Sequence, residues 1–284
     1  MAIIDNESQP ARSRYLTTEA NGRVEPFINL TGDELAIEER DDDMRVALWA
    51  FGGVVEMEDG TGRVWFSKQL AHKNGLMEYI GTGLAKVTPR LNGHLRVQRS
   101  PEMVFGPHDA KIGTFSSIKV GDYIYLYGDS GNNQIVLSRV LADPDREDII
   151  YDKYSYTYWN GSNYVLDPKE AKVVFQGLSQ GSVVRTKLFG PGKPYLFVGV
   201  GAWGSSKIMM GASASLEGPW DLKEVYATEG INIKDKYRYC MYPHVWASDE
   251  EKAELVVSWC EPYPGGVIMA RLQLAPVVDT VEEG

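Results

Sequence analysis

The feature that most constrains this chain is a recurring β-meander. Each unit is an apolar strand, a tight polar turn, a second strand rich in aromatic and β-branched residues, a polar loop and a third strand. Four copies are legible. The first runs from Gly53-Val-Val-Glu-Met through Arg63-Val-Trp-Phe-Ser to Gly81-Thr-Gly-Leu-Ala-Lys-Val. The second joins Thr114-Phe-Ser-Ser-Ile-Lys-Val, the two-residue turn Gly121-Asp122, Tyr123-Ile-Tyr-Leu-Tyr and Gln134-Ile-Val-Leu-Ser-Arg-Val. The third comprises Ser182-Val-Val-Arg-Thr-Lys-Leu, Pro194-Tyr-Leu-Phe-Val and Lys207-Ile-Met-Met-Gly-Ala-Ser. The fourth comprises Met241-Tyr-Pro-His-Val-Trp, Glu254-Leu-Val-Val-Ser-Trp and Val267-Ile-Met-Ala-Arg-Leu.

The second strands begin at Arg63, Tyr123, Pro194 and Leu255, at intervals of 60, 71 and 61 residues. Short strands at so steady a period predict an all-β fold of the β-propeller type, with blades of about 60 residues arranged round a channel. Tyr156 to Val165 and Gly218 to Tyr226 read as outer, fourth strands. The competing architecture is a β-sandwich of about 200 to 250 residues in which the spacing is accidental. Composition agrees with either: 29 Gly and 14 Pro supply turns, and 16 Tyr and 7 Trp favour strands. The expected domain plan is a disordered leader over 1–14, a single propeller over 15–278 and a disordered tail over 279–284.

A formal charge of -10 argues against nucleic acid as a partner, since phosphate binding needs clustered Lys and Arg. Residues 1 to 45 hold 11 acidic and 5 basic side chains, so much of that charge sits in the leader. The longest apolar run, near Tyr195 to Trp203, is far short of the ~20 residues of a membrane helix, and the first residues lack the pattern of a signal peptide. The expected address is therefore cytoplasmic, or secreted if a signal peptide lies upstream. The expected state is a monomer or weak dimer.

Strand order sorts residues between the two ends of a propeller. The first-hairpin turns (Glu58-Asp59-Gly60, Gly121-Asp122, Gly190-Pro191-Gly192 and Ser248 to Ala253) look like idle solvated turns. The opposite face is expected to gather Lys68, His72, His108, Asp109, Asp129, Asn132, Asn133, Gln180 and Trp203. The fourth copy adds Tyr237, Arg238, Tyr239, Tyr242, Trp259, Glu261 and Tyr263. Aromatic rings with amides, arginine and carboxylates suit a polyhydroxylated or aromatic small ligand.

Counting back from the Gly121-Asp122 turn puts Thr114 opposite Asp129, aiming a carboxylate at the channel mouth; the alternative is that Asp129 only caps its own turn. Arg185, inside an apolar first strand, requires a carboxylate neighbour or a ligand anion. His244 sits on a channel strand, either as a titrating or ligand-binding group or as a satisfied core histidine. His108-Asp109 forms a loop pair of acid/base type, although such pairs also arise by chance. The histidines at 72, 94, 108 and 244 have no metal-ligand spacing, and no cofactor fingerprint is present, so neither metal nor cofactor is expected. Cys240 and Cys260 fall on adjacent strands and read as buried thiols.

Three stretches resemble a known family: the run from Gly113 to Ser130 (Gly-Thr-Phe-Ser-Ser-Ile-Lys-Val-Gly-Asp-Tyr-Ile-Tyr-Leu-Tyr-Gly-Asp-Ser), Ala214-Ser-Leu-Glu-Gly-Pro-Trp, and the closing Tyr-Pro-His, Leu-Val-Val-Ser-Trp and Val-Ile-Met-Ala-Arg-Leu segments. They are similar to the five-bladed propellers related to endo-D-arabinanases and to furanosidases of the arabinanase and levansucrase type, over roughly residues 45 to 275. The resemblance implies five blades, an abbreviated first one over 15–45, and a furanoside-type carbohydrate ligand. In that family the hydrolytic carboxylates come from early strands. Asp129 matches one such pattern, whereas Phe115 stands where the first acid belongs.

Hydrolysis ordinarily takes two carboxyls about 5 to 9 Å apart, which casts Asp109 or Glu261 as partner to Asp129. His108, Thr114, Trp203, Tyr239, Tyr242 and Trp259 are the expected substrate-binding residues. Two other readings stay open. One is a biosynthetic enzyme that dehydrates or cyclises a hydrophobic intermediate, using Arg185, His244 and tyrosines to orient and polarise it. The other is a non-catalytic interaction propeller.

Overall fold

The computed structural model describes residues 2–4, 13–15, 26–90, 95–227, 238–261 and 266–274. A two-stranded ribbon pairs β1 (Ala2–Ile4) with β2 (Ser13–Tyr15), and α1 (Gly32–Arg40) follows. The rest is four antiparallel sheets, consecutive in the chain.

The first blade contains β3 (Met44–Trp49), β4 (Val55–Glu56), β5 (Gly62–His72), β6 (Met77–Pro89) and β7 (Leu95–Phe105). The second contains β8 (Lys111–Val120), β9 (Tyr123–Asp129), β10 (Gln134–Leu141), β11 (Thr157–Trp159), β12 (Tyr164–Val165) and β13 (Val173–Gln176). The third is β14 (Leu178–Arg185), β15 (Tyr195–Gly201), β16 (Lys207–Ser213) and β17 (Lys223–Ala227), and the fourth is β18 (Tyr239–Pro243), β19 (Glu254–Glu261) and β20 (Gly266–Gln273). The described residues form an all-β propeller of four blades.

Four replaces the expected five. The residues set aside for an abbreviated blade, 15–45, instead contain α1, whose start is fixed by a capping box in which the Thr31 hydroxyl accepts from the Glu34 N–H and the Glu34 carboxylate accepts from the Thr31 N–H. A capping box commits that stretch to a helix. The inner strand of the first blade also begins nine residues earlier than expected, at Met44, because β3 and the short β4 both pair with β5 on the same side. The expected outer strands appear as β11 with β12 and as β17, while β7 was not legible in the sequence.

Apolar runs such as Val64-Trp65-Phe66 and Leu196-Phe197-Val198 show why the sheets stack. Successive strand residues point to opposite faces, so an uninterrupted buried run means a sheet covered on both sides. Trp65 packs towards the second blade with Leu84, Phe105, Leu126 and Tyr156, whereas Val64 and Phe66 join Ile28, Ala85 and Val87 on the other face. Phe197 packs with Phe115, Tyr127 and Phe175 of the second blade, while Leu196 and Val198 meet Met241, Leu255, Val257 and Trp259 of the fourth. Between the first two blades a buried polar chain is satisfied: the Trp65 indole donates to the Tyr156 hydroxyl at 3.1 Å, which donates to the Ile150 carbonyl at 2.7 Å.

The inner strands β8, β14 and β18 lie side by side from blade to blade, and the ring meets itself where the Tyr242 hydroxyl approaches the turn at Gly53. Two glycines allow the closest contact between the first two blades. Gly113 has φ +79°, and a Cβ there would stand 2.7 Å from Trp65; a Cβ on Gly52 would collide with the Gly113 carbonyl.

The outer face of the first blade is held by charge as well as by apolar contact. Glu34 of α1 is 4% exposed and meets Arg99 in a fork, with Nη1–Oε2 at 2.6 Å and Nη2–Oε1 at 2.9 Å, and Lys68 Nζ at 2.6 Å. The Arg99 bonds hold the Glu34 carboxyl down at about 2 against its usual 4.5, although burial opposes them. Folded protein therefore binds a proton there less readily than unfolded chain, and the contribution present above pH 4.5 is lost as the pH falls towards 2. Glu34→Gln, which strands two half-buried cations, is expected to lower the unfolding free energy by about 2 kcal/mol. Urea denaturation at pH 7 measures the loss, and the variant should show a weaker decline between pH 4.5 and 2 than the parent.

Candidate functional site

Each inner strand starts at one end of the channel and finishes at its hairpin turn at the other, so two surfaces are built by different residues. At the starting end lies a cup of about 800 Å³. Its wall comes from α1 and the turn after it (Glu38, Asp42, Asp43), the start of β3 (Met44, Arg45), Trp49, the end of β5 with its loop (Ala71, His72, Lys73, Gly75), and Met77. Trp203, from the loop between β15 and β16, reaches the same cup and is 64% exposed. His72 Nε2 lies 2.8 Å from Glu78 Oε1, and Lys73 Nζ lies 3.6 Å from Asp43 Oδ1. The cup therefore offers indole surface beside carboxylate, guanidinium and imidazole groups.

The sequence placed Trp203 and His72 at this face. It did not single out Glu38, Asp42, Asp43, Arg45 or Trp49, because residues before Gly53 were read as leader or incomplete blade. The visible signal was the acidic excess of residues 1 to 45, which ends in Asp41-Asp42-Asp43 directly before β3.

The proposed acid Asp129 closes β9. Its Oδ1 accepts from the Gly131 N–H at 2.9 Å and its Oδ2 lies 3.8 Å from Lys111 Nζ, with Asn132 and Asn133 both in the left-handed region at φ 55°. The turn-capping alternative describes these bonds. Asp109 behaves similarly: Oδ2 accepts from the Gly106 N–H at 2.8 Å and from Lys153 Nζ at 3.0 Å. The hydrogen bond that Lys153 donates to Asp109 raises the Lys153 pKa. His108 is exposed on the same loop. Nearby, burial pushes the Tyr79 hydroxyl up to about 12; it shares a 2.7 Å hydrogen bond with Thr82 and carries Lys111 Nζ 5.4 Å above its ring.

Thr114 does not stand opposite Asp129. The register runs regularly from Val120–Tyr123 to Ser116–Tyr127, then slips so that Lys111 faces Asp129, and the Thr114 hydroxyl donates to the Lys111 carbonyl at 2.7 Å. The left-handed Gly113 produces that irregularity, and counting from the turn could not include it.

In the fourth blade, Trp259 is 7% exposed and belongs to the apolar interface with the third, so it packs rather than lines the cup. Tyr239 is half-buried opposite Cys260. Cys240 follows in the left-handed region at φ 54°, with its N–H donating to Gln180 Oε1 at 2.5 Å. Burial, together with the neighbouring Cys260 thiol, pushes Cys240 up to about 12. Arg238 is buried, with its N–H donating to the Ser205 carbonyl at 3.0 Å. Tyr237, Tyr263 and His94 lie outside the described residues, as does the Glu261 side chain.

Arg185, His244 and Tyr242 stand at the hairpin-turn end of the channel, not in the cup. Arg185 ends β14, paired with Tyr195 beside the turn, and is exposed rather than enclosed in an apolar strand. Tyr242 lines a second, smaller cavity there. His244 follows β18, with Nε2 2.7 Å from Ser258 Oγ and its ring between Tyr242 and Trp246, each at 5.4 Å. The expected single cup thus divides in two, because an inner strand carries its first and last residues to opposite ends of the ring. Among the described residues no cluster of His, Cys, Asp and Glu could hold a metal ion, and no helix is long and apolar enough to cross a membrane.

No protein-family model matches the sequence, and none of the curated proteins matches it. Among solved structures, a protein of Bacteroides ovatus ATCC 8483, provisionally assigned as a hydrolase, superposes with a TM-score of 0.59 at 18% identity. The match covers 86% of this chain and 64% of that one, so the chain spans under two thirds of that protein's length. An endo-arabinase from Bacteroides thetaiotaomicron matches more loosely (TM-score 0.42, 13% identity, 78% of this chain and 74% of that one). Levansucrase of Bacillus subtilis does likewise (0.44, 12%, 83% and 68%). The likeness to the Bacteroides ovatus protein is one of fold.

Burial lowers the His244 pKa from its usual 6.5, so the ring is neutral at pH 7. The unfolded chain takes up the proton first as the pH falls, and stability declines below about pH 6.5. His244→Gln should flatten this decline, as read from denaturation midpoints between pH 7.5 and 5.

Proposed function

We propose that this protein acts on carbohydrate, binding a furanoside-containing oligosaccharide in the cup at the strand-start end of the propeller. The observation that carries the reading is Trp203. Its indole, 64% exposed on a loop at the edge of a cavity shared with Trp49, offers a ligand an apolar ring face. Sugar rings present a C–H face that stacks on indole, while their hydroxyls need donors and acceptors around the edge. Arg45 and His72 supply donors there, and Glu38, Asp42 and Asp43 supply acceptors.

The carboxylates of this cup also bear on hydrolysis, which requires one protonated and one ionised carboxyl flanking the scissile bond. Asp109 and Asp129 are each occupied by a lysine and a backbone N–H. Glu38 and Asp42 line the cup, with no ion pair to a lysine or arginine among the described residues. We assign the acid pair of this reading to them. The resemblance of the sequence to furanoside-acting propellers supports the choice of sugar class. The fold likeness is compatible with it.

Isothermal titration with arabino-oligosaccharides and fructo-oligosaccharides tests the reading. Saturable binding is expected, weakened at least about tenfold by Trp203→Ala, since loss of a stacked ring removes roughly 1.4 kcal/mol. Absence of binding by both sugar series, or equal affinity in Trp203→Ala, overturns it. On any oligosaccharide that is turned over, Asp42→Asn should abolish cleavage and Asp129→Asn should preserve it.

A further inference from the structure

The hairpin-turn end of the channel, which the sequence presented as idle, contains a cavity of about 290 Å³ where residues of all four blades meet. Ser182 of β14 lines it and is 3% exposed, and its hydroxyl has no hydrogen-bond partner among the described residues. A buried hydroxyl left unpaired costs about 1 to 3 kcal/mol, so its position in a cavity wall calls for an explanation. The neighbouring Ser116 hydroxyl is already used, accepting from the Val183 N–H at 2.9 Å. Ser182 is the hydroxyl left over.

Two more donors border the same space. The Arg185 side chain makes no hydrogen bond or ion pair among the described residues. Tyr242, from the fourth blade, places its hydroxyl beside the Gly53 turn, likewise without a hydrogen bond among them. Most nearby carboxylates are engaged elsewhere. Glu58 binds Lys119 Nζ at 3.0 Å, and Glu250 accepts from the Thr186 hydroxyl at 2.6 Å and the Lys187 N–H at 2.8 Å. Glu56 stands on the rim, exposed, and disfavours a multiply charged anion.

We propose that this cavity is a binding site for a small monocarboxylate bearing hydroxyl groups, separate from the carbohydrate cup. The Arg185 guanidinium takes the carboxylate through charge-assisted hydrogen bonds, and Ser182 and Tyr242 meet the hydroxyls. Lys119, which also lines the cavity, is held by Glu58, so among the described residues Arg185 is the lining cation without an ion pair, and it matches a ligand carrying a single negative charge. A volume of this size, at about 30 Å³ per water-sized group, admits an acid of about two to six carbons. The site does not depend on the function assigned to the cup.

The probes are sodium glycolate and sodium glycerate, titrated calorimetrically into the full chain against sodium chloride at equal ionic strength. Saturable binding of at least one acid is expected. Arg185→Gln should weaken it at least about tenfold and Ser182→Ala about threefold, with Arg185→Lys intermediate, in keeping with loss of a charge-assisted bond and of a neutral one. Trp203→Ala should leave it unchanged. Arg185 is exposed at a strand end, so its variants should keep the parent melting curve in the absence of ligand. Failure of both acids to bind saturably, full affinity in Arg185→Gln, or loss of binding in Trp203→Ala overturns the proposal.

Discussion

Every blade of this protein has apolar side chains on both faces, and that single constraint governs the architecture. A sheet with one wet face can stand as half of a sandwich, but a sheet such as the first blade, with Trp65 and Leu84 on one side and Val64, Phe66 and Ala85 on the other, must be covered twice. Stacking each blade against the next covers one face of both partners. Blade pairs one–two, two–three and three–four do this through three continuous apolar interfaces. Twist between the sheets turns the stack into an arc and brings the inner strands round a common axis.

The ends of such a stack are its weak points. The first blade solves the problem with residues outside the repeat: Phe27 and Ile28 fill the apolar half of its free face, and Glu34 of α1 enters between Lys68 and Arg99. Three charges in one half-dry place are tolerable only because each cation is matched by a carboxylate oxygen, with the Phe66 ring under Arg99 at 5.1 Å. The same α1 carries Glu38 and precedes Asp42 and Asp43, so the segment that seals the first blade also furnishes the cup with acid groups. Stability and binding surface share one structural element.

Function divides along the axis for a related reason. Inner strands that all run the same way carry their first residues to one mouth and their last residues to the other. Trp203 belongs to a loop and His72 to the end of β5 at the starting mouth, while Ser182, Arg185 and Tyr242 belong to the inner strands β14 and β18 towards the turn mouth. The two openings differ in chemistry as well as in size. The wider cup mixes indole with acids and bases, whereas the narrower one presents hydroxyls and a guanidinium.

The sequence by itself determined the fourfold β-meander, most of its strands and their order, because apolar alternation, aromatic runs and turn glycines are local and each blade is built from neighbours in the chain. The pairing of Val120 with Tyr123 and the outer strands at Thr157 and Lys223 are examples. Only the tertiary structure decided the number of blades, the slip that removes Thr114 from Asp129, and the separation of Arg185 and His244 from Trp203. Those outcomes depend on contacts between residues far apart in the chain: the ion triad that ties Glu34 of α1 to Lys68 and Arg99 of the first blade, and the packing of Gly52 on Gly113 and of Gly113 on Trp65 at the displaced inner strand. A local pattern fixes which face a side chain takes within its own blade. Which opening it reaches is set by how the blades close on one another.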